Sequence, residues 1–383
     1  MTLGRMDAPV TAPIEGLCPT RFEGVRQAFA ANFAQHDDVG ASLAVCIDGE
    51  MVVDIWGGWT DETRQQAWSR DTIVNTFSST KTATALCALL LADRGELDVD
   101  APVRKYWPEF SSPDVTPRHC LAHTAGLPGW DEPLTMDELF EGEKPAALLA
   151  RQTPWWKPGS AWAYHSISQG VLVGELVRRI TGQSTGKFLE AELAGPLGAD
   201  FHIGTGPQFD ARIAPVIPGP PDPPAPEGSL MARMVRYPVF TLGAALSLPW
   251  RRCELPAGNG FGNARALARL QSLLACEGEV GGKRLMSREG ARAAASPSWE
   301  GPDLIMQSPT GFGLGFALHL GPLKFGKGTS CYWGGAGGSL VVVDYEARMS
   351  FAYVMNRLKA APFGDPRNMG PLMATYAALN AAG

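Results

Sequence analysis

Long apolar runs are missing from this 383-residue chain, and no stretch reaches the roughly 20 apolar residues that cross a bilayer as a helix. Basic runs are missing too. The net charge of −6 is spread along the chain, with no cluster of Lys and Arg and no aromatic-basic stripe. Neither nucleic acid nor an anionic membrane is therefore expected as a partner. Cysteine is sparse, with 7 scattered residues, no Cys-x-x-Cys spacing and an odd number that cannot all pair internally. Reduced thiols in a cytoplasmic protein are the simplest expectation, with Cys46 and Cys87 in apolar runs that predict the core. The N-terminal MTLGRMDAPVTAPIEGLCPT lacks the charged-then-apolar pattern of a secretory leader. Histidine is as scarce, with 6 residues that form no recognised ligand set, so no metal and no cofactor is expected.

What is present is 45% hydrophobic residues in a chain of 40.9 kDa, enough for one extensive core or two closely packed lobes. FEGVRQAFAANFAQH puts Phe22, Val25, Phe29 and Phe33 on one side of a helix. ASLAVCI and MVVDIWGGW read as strands, and the Asp48-Gly49 between them is a hairpin signal. From Thr80 to Ala92 the pattern is helical and almost wholly apolar, which predicts a buried helix. SQGVLVGELVRRITG is a helix closed by Gly182, and NARALARLQSLLACEG another with Asn263 as its cap. The stretch PVIPGPPDPPAPEGS, from Pro215, is too rich in proline for helix or sheet interior and predicts a surface loop. GFGLGFALHL, SLVVVDY and MSFAYVMN return to strand, before a last helix from about Pro371. The economical architecture is α+β: one antiparallel sheet built from both chain ends and flanked by helices, with a mostly helical domain inserted. The expected boundaries are 1–80 and 256–383 for the sheet domain and 81–255 for the helical one.

Three short stretches carry chemistry. In NTFSSTKTATALCALLLA, Ser78 stands where an extended segment gives way to the buried helix. A helix N-terminus offers free N–H groups and positive potential to an oxyanion. Lys81, three residues on, lies within reach of the serine oxygen; burial would help it lose its proton and serve as a base. Alone, the same spacing also suits a serine that caps the helix beside a lysine reaching for water. A second Ser-x-x-Lys, Ser184 to Lys187, follows Gly182 and reads as a cap with an exposed lysine. AWAYHSISQG contains the chain's one Tyr-x-Ser, Tyr164 to Ser166. A tyrosine beside a lysine can hold a phenolate-like oxygen, able to take a proton from the serine and deliver it to a leaving alcohol. His165 is expected on the opposite side of that segment. CYWGGAGGSLVVVDY puts glycines before a strand, where backbone can approach a ligand closely and offer an N–H. Neither a Walker Gly-Lys-Ser/Thr nor a Gly-x-Gly-x-x-Gly entering a helix is present, and the one Gly-x-Ser-x-Gly, Gly182 to Gly186, follows a helix rather than the strand that an α/β-hydrolase elbow requires.

Taken in this order, Ser-x-x-Lys, Tyr-x-Ser and a glycine-rich strand start, the chain resembles the serine β-lactamase and penicillin-binding-protein superfamily. Within it, the chain is most similar to the class C-like branch and its family VIII carboxylesterases. RHCLAHTAGLPG, WKPGSAWAYHSISQGVLVGELVRRITGQS, GPLGAD, GFGLGF and YVMNR extend the resemblance over most of the chain. It implies a serine β-lactamase-like fold and a serine esterase with a small-molecule ester as substrate. Ser78 would be the acylated nucleophile, with Lys81 and Tyr164 sharing the base role and Ser166 positioning Lys81 and the substrate. The oxyanion hole would be the backbone N–H groups of Ser78 and Ala336, beside Trp333, Gly334 and Gly335, with His123 structural. Relatives that act on β-lactams usually carry Lys-Thr-Gly where this chain has Trp333-Gly334-Gly335. An indole has no charge and one donor, which favours a neutral ester over an anionic penicillin. The alternatives inside the superfamily are a cephalosporin-hydrolysing β-lactamase, an acyltransferase and a D-aminopeptidase. A non-enzymatic descendant is disfavoured because Ser78, Lys81 and Tyr164 are all retained. By analogy, the segment over about 205–255 is an active-site loop, and replacing its Phe240 or Trp250 is expected to alter chain-length preference.

Overall fold

The computed structural model describes residues 12–221, 223–359 and 364–381. Residues 1–11, on which the leader reading mostly rests, and Asp222 of the proline-rich segment lie outside them. Nine strands form one antiparallel sheet. Their order is Ile14–Leu17, Glu50–Gly58, Gly40–Ile47, Met349–Met355, Leu340–Asp344, Ser330–Gly334, Ala317–Leu320, Pro309–Phe312 and Trp299–Pro302. The two chain ends meet in its middle, where Met349 pairs with Ile47 and the register runs to Met355 opposite Ala41. Both strands are buried along almost their whole length, because helices cover both faces. Alternate residues go to opposite cores: Leu43, Val45 and Phe351 pack with Phe29 and Leu372, whereas Ala44, Cys46, Ala352 and Val354 pack with Leu267 and Leu270. The helices Glu23–Gln35 and Pro366–Asn380 thus lie on one side, and Ala264–Ala275 on the other.

Local signals account for most of these elements. Asp48 and Gly49 both take positive φ, +51° and +81°, as a two-residue type I′ hairpin requires. Gly182, at φ +71°, ends the helix Ser168–Thr181, and the Asn263 side chain accepts from Ala266 N at 2.9 Å to start the helix behind it. Two differences from the sequence pattern have clear causes. GFGLGFALHL divides into two strands around a turn at residues 313–316, in which Gly315 has φ +88°. The last helix begins at Pro366, with Asp365 as cap, and runs through Pro371. Pro371 cannot donate to the carbonyl four residues earlier, but that carbonyl, of Arg367, accepts from Asn32 Nδ2 at 2.7 Å instead.

The helix Thr80–Asp93 is buried from Thr80 through Leu91. It packs against Ser168–Thr181 and the short helix Thr185–Leu189. The strand leading into it, Val74–Asn75, is pinned in a small sheet with Gly260–Gly262 and Phe201–Ile203. Residues 213–217 make single parallel bridges to Ile73 and Arg357; short helices Leu230–Met234, Leu242–Ala245 and Leu248–Arg252 follow the proline-rich stretch. All seven cysteines are free, with Cys46 and Cys87 buried. Among the described residues no helix is long and apolar enough to cross a membrane.

Candidate active site

The turn that presents Ser78 is built by its neighbours. Thr76 N donates to Gly260 O at 2.8 Å and Phe77 N donates to the Asn75 side chain at 3.0 Å. Phe77 is held at φ +46°, a conformation that costs a non-glycine residue about 1–3 kcal/mol. The chain then tightens into a short 3₁₀ turn, Phe77–Ser79, and enters the helix. The helix N-cap is Ser79, with no side-chain capping bond, so Ser78 is not spent as a cap. Its Oγ accepts from the Tyr164 hydroxyl at 2.7 Å and lies 3.3 Å from Lys81 Nζ. The rival pair differs: Ser184 caps its helix by accepting from Lys187 N and bonds Glu254.

Lys81 is buried, and its amine donates to two carbonyls, Ser166 O and Ala257 O, each at 2.7 Å. Among the described residues no carboxylate is bonded to it. Burial alone pushes its pKa well below that of an ordinary lysine. Burial also raises the Tyr164 phenol to about 12, with its hydrogen bonding to Ser78 and Trp333 opposing the rise. Both shifts run against the charged forms of the expected pair, a phenolate-like tyrosine beside a lysine cation. Lack of water penalises both charged forms, the ammonium and the phenolate. The Lys81 nitrogen sits 5.0 Å from the centre of the Tyr164 ring.

Ser166 contributes its backbone carbonyl to Lys81, while its side chain is exposed. His165 points away from this cluster: its Nε2 accepts from Leu127 N at 3.1 Å and its Nδ1 faces Ala163 O at 2.6 Å. Burial lowers its pKa to about 4, and the neutral ring ties the 123–127 turn to the tyrosine segment. His123 Nδ1 accepts from His165 N at 3.0 Å, and burial, with His165 and Lys81 adding to it, holds that ring neutral as well. His119 and His123 are four residues apart, but His119 closes a capping box with Thr116 while His123 lies beyond that helix at φ +61°. Among the described residues no group of three His, Cys, Asp or Glu is placed to hold a metal.

The third side of the site is the end of the strand Ser330–Gly334 and the turn after it. Trp333 is 2% exposed; its ring stacks on His123 (6.0 Å, 28°) and lies 5.2 Å from both Tyr164 and Phe312. It backs the tyrosine rather than projecting into open space. Gly335 is pressed onto the serine turn: a Cβ there would come within 2.3 Å of Thr76 O and 3.1 Å of Ser78 N. Only glycine lets this strand approach that closely. Ser339 Oγ ties the same two segments together, donating to Thr76 O at 2.9 Å and meeting Ser79 Oγ at 2.9 Å. Ala336 is exposed at the tip of the turn. Neither the Ser78 nor the Ala336 amide has a protein acceptor among the described residues.

Ser339 and the Ala257 carbonyl were not legible as site residues. A backbone carbonyl leaves no residue-type signal, and Ser339 is one serine among many. Trp250 is buried and Phe240, 42% exposed, lies on it at 5.6 Å. A cleft of about 810 Å³, walled by Trp107, Phe140, Gly170, Arg178 and Pro256, includes none of Ser78, Lys81, Tyr164 or Ala336. Volume does not locate the chemistry here; the convergent polar groups do.

A model of the family described as Beta-lactamase matches residues 25–372. Over 364 residues the chain is 35% identical to Esterase/beta-lactamase LipL of Mycobacterium tuberculosis, covering 90% of this chain and 83% of that one. A solved structure of a family VIII carboxylesterase superposes with a TM-score of 0.91 at 36% identity, over 96% of this chain and all of that one. A penicillin-binding-protein homologue from Caulobacter crescentus gives 0.87 at 35% identity, over 96% of this chain and 100% of that one.

Proposed function

The chain belongs to the Beta-lactamase family, with the family VIII carboxylesterases among its near relatives, and from that premise we propose that it hydrolyses short-chain carboxylic esters through an acyl-enzyme on Ser78. The observation that carries this reading is the chain Lys81–Ser78–Tyr164, with spacings of 3.3 and 2.7 Å. A neutral amine has two N–H groups and one lone pair. The carbonyls of Ser166 and Ala257 take the two hydrogens, which leaves the lone pair for the Ser78 hydroxyl proton. Ser78 Oγ in turn accepts from Tyr164, so each group has one role.

In acylation, Ser78 Oγ bonds to the ester carbonyl carbon as its proton passes to Lys81. The amides of Ser78 and Ala336 receive the oxyanion. As the carbon–oxygen bond to the alcohol breaks, Tyr164 protonates the departing oxygen, and the proton on Lys81 restores the phenol. Water then attacks the acyl carbon and gives its proton to the lysine–tyrosine pair, which returns one to Ser78 as the acid leaves. No cofactor enters this scheme. A neutral ester suits the site better than an anionic β-lactam, because an indole, Trp333, stands where a lysine would draw the carboxylate.

The test is initial-rate hydrolysis of p-nitrophenyl acetate, butyrate and octanoate beside a chromogenic cephalosporin, for wild type and Ser78→Ala. Short-chain ester turnover that disappears in the variant, with little cephalosporin cleavage, is expected. Rapid cephalosporin turnover would put lactam hydrolysis first, and ester turnover that survives Ser78→Ala would overturn the mechanism.

A further inference from the structure

The turn that carries Ala336 is intrinsically loose. Gly334, Gly335, Gly337 and Gly338 surround the single alanine, and glycine loses more backbone freedom on ordering than any other residue. Within the turn, Gly338 N donates to Gly335 O at 3.2 Å and Gly335 N to Ser339 O at 2.9 Å. An amide that must point at a developing oxyanion needs a firmer seat than this. The seat comes from the start of the last helix. The Arg367 guanidinium donates to Gly337 O, and Asn368 Nδ2 donates to Gly338 O at 2.8 Å. Packing is so close that a Cβ on Gly338 would lie 2.5 Å from Asp365 Oδ2 and 2.7 Å from Arg367 Nη2.

Arg367 is itself fixed. It is fully buried, with Nη2 2.7 Å from Asp365 Oδ2, Nη1 2.9 Å from Asp38 Oδ1, and Nη1 2.8 Å from Arg357 O. Asp38 also accepts from the Tyr353 hydroxyl, and Asp365 caps the helix by accepting from Arg367 N at 2.9 Å. The carboxylates brace the guanidinium, the guanidinium holds a carbonyl, and that carbonyl belongs to the residue after Ala336.

We propose that Arg367 and Asn368 are positioning residues for ester hydrolysis, clamping the carbonyls of Gly337 and Gly338 so that the Ala336 amide faces the oxyanion. The inference rests on the reading above in which Ala336 N–H is one of the two oxyanion donors. Asn368 makes the cleaner test, because its Oδ1 has no partner among the described residues and truncation removes the one hydrogen bond to Gly338 O. Arg367 leaves two carboxylates uncompensated if removed, so it is changed only to Lys.

The experiment compares wild type, Ser78→Ala, Asn368→Ala and Arg367→Lys. Competent sites are counted by intact-mass titration with a fluorophosphonate, and rates of p-nitrophenyl butyrate hydrolysis are expressed per titrated site. Affinity for a trifluoromethyl ketone, which presents a tetrahedral oxyanion, is measured beside KM and Tm. For Asn368→Ala we expect per-site kcat to fall about 10- to 100-fold, less than the loss of a whole oxyanion donor. KM should stay within about twofold and ketone affinity should fall by the same factor as kcat. Arg367→Lys should act in the same direction. A lower Tm or titrated fraction with per-site kcat and ketone affinity unchanged in Asn368→Ala would assign these residues to folding alone and overturn the proposal. Labelling or turnover that persists in Ser78→Ala would instead remove the reading on which it rests.

Discussion

Replacing Tyr164 with Phe separates the two proton transfers that this site must make. The phenol is hydrogen-bonded to Ser78 Oγ at 2.7 Å and held at a pKa of about 12. An expelled alkoxide is about as basic as hydroxide, whose conjugate acid has a pKa of about 16. Proton delivery from Tyr164 is then downhill by roughly 4 pKa units, or about 5 kcal/mol. p-Nitrophenolate, a far weaker base, leaves without such help. For a p-nitrophenyl ester the variant loses only the bond that orients Ser78, worth about 1 kcal/mol, or about fivefold in rate. For an alkyl ester it also loses its general acid, about 10²- to 10⁴-fold. The assay is kcat/KM, which reports acylation alone, for p-nitrophenyl butyrate by absorbance and ethyl butyrate by pH-stat. The variant should discriminate between the two by about 10² or more beyond wild type. Equal losses on both esters would refute leaving-group protonation by Tyr164, and wild-type rates on both would remove the tyrosine from the mechanism.

Lys81 must be neutral to accept the serine proton, and burial depresses its pKa. The kcat/KM profile should therefore rise with pH along a limb well below the ordinary lysine range of about 10.4. With Tyr164 at about 12, no alkaline fall should follow up to pH 10. A profile that rises only near pH 10 would contradict a depressed amine. Phe240→Ala, which removes an exposed ring lying on Trp250, should shift the preference among acetate, butyrate and octanoate esters at nearly unchanged Tm. Trp250→Ala removes a buried indole and should cost about 3–5 kcal/mol of stability; an unchanged preference in both variants would place the acyl pocket elsewhere.

Periodicity and turn chemistry were enough to expect a sheet drawn from both chain ends, because the signals are local. Asp48-Gly49 dictates its hairpin, Gly182 stops its helix, and the apolar run after Thr80 has to be buried. The order of the nine strands was not local information. Pairing of 349–355 with 41–47 depends on which apolar faces meet across some 300 residues of chain, and no window of sequence contains both. The short edge strands at 14–17 and 299–302 exist only because a neighbour supplies hydrogen bonds. A similar division runs through the site. Ser78, Lys81 and Tyr164 could be singled out from residue types and spacing, and the fold brings the three together; Ala336 came from the resemblance alone, because an amide N–H leaves no residue-type signal. The burial that disfavours both the lysine cation and the phenolate was not legible, since it depends on what packs around the two groups. Nor were the carbonyls that hold Lys81 or the arginine behind Gly337 legible. Those contacts use backbone atoms or residues distant in the chain, and only the packed tertiary structure brings them to the serine.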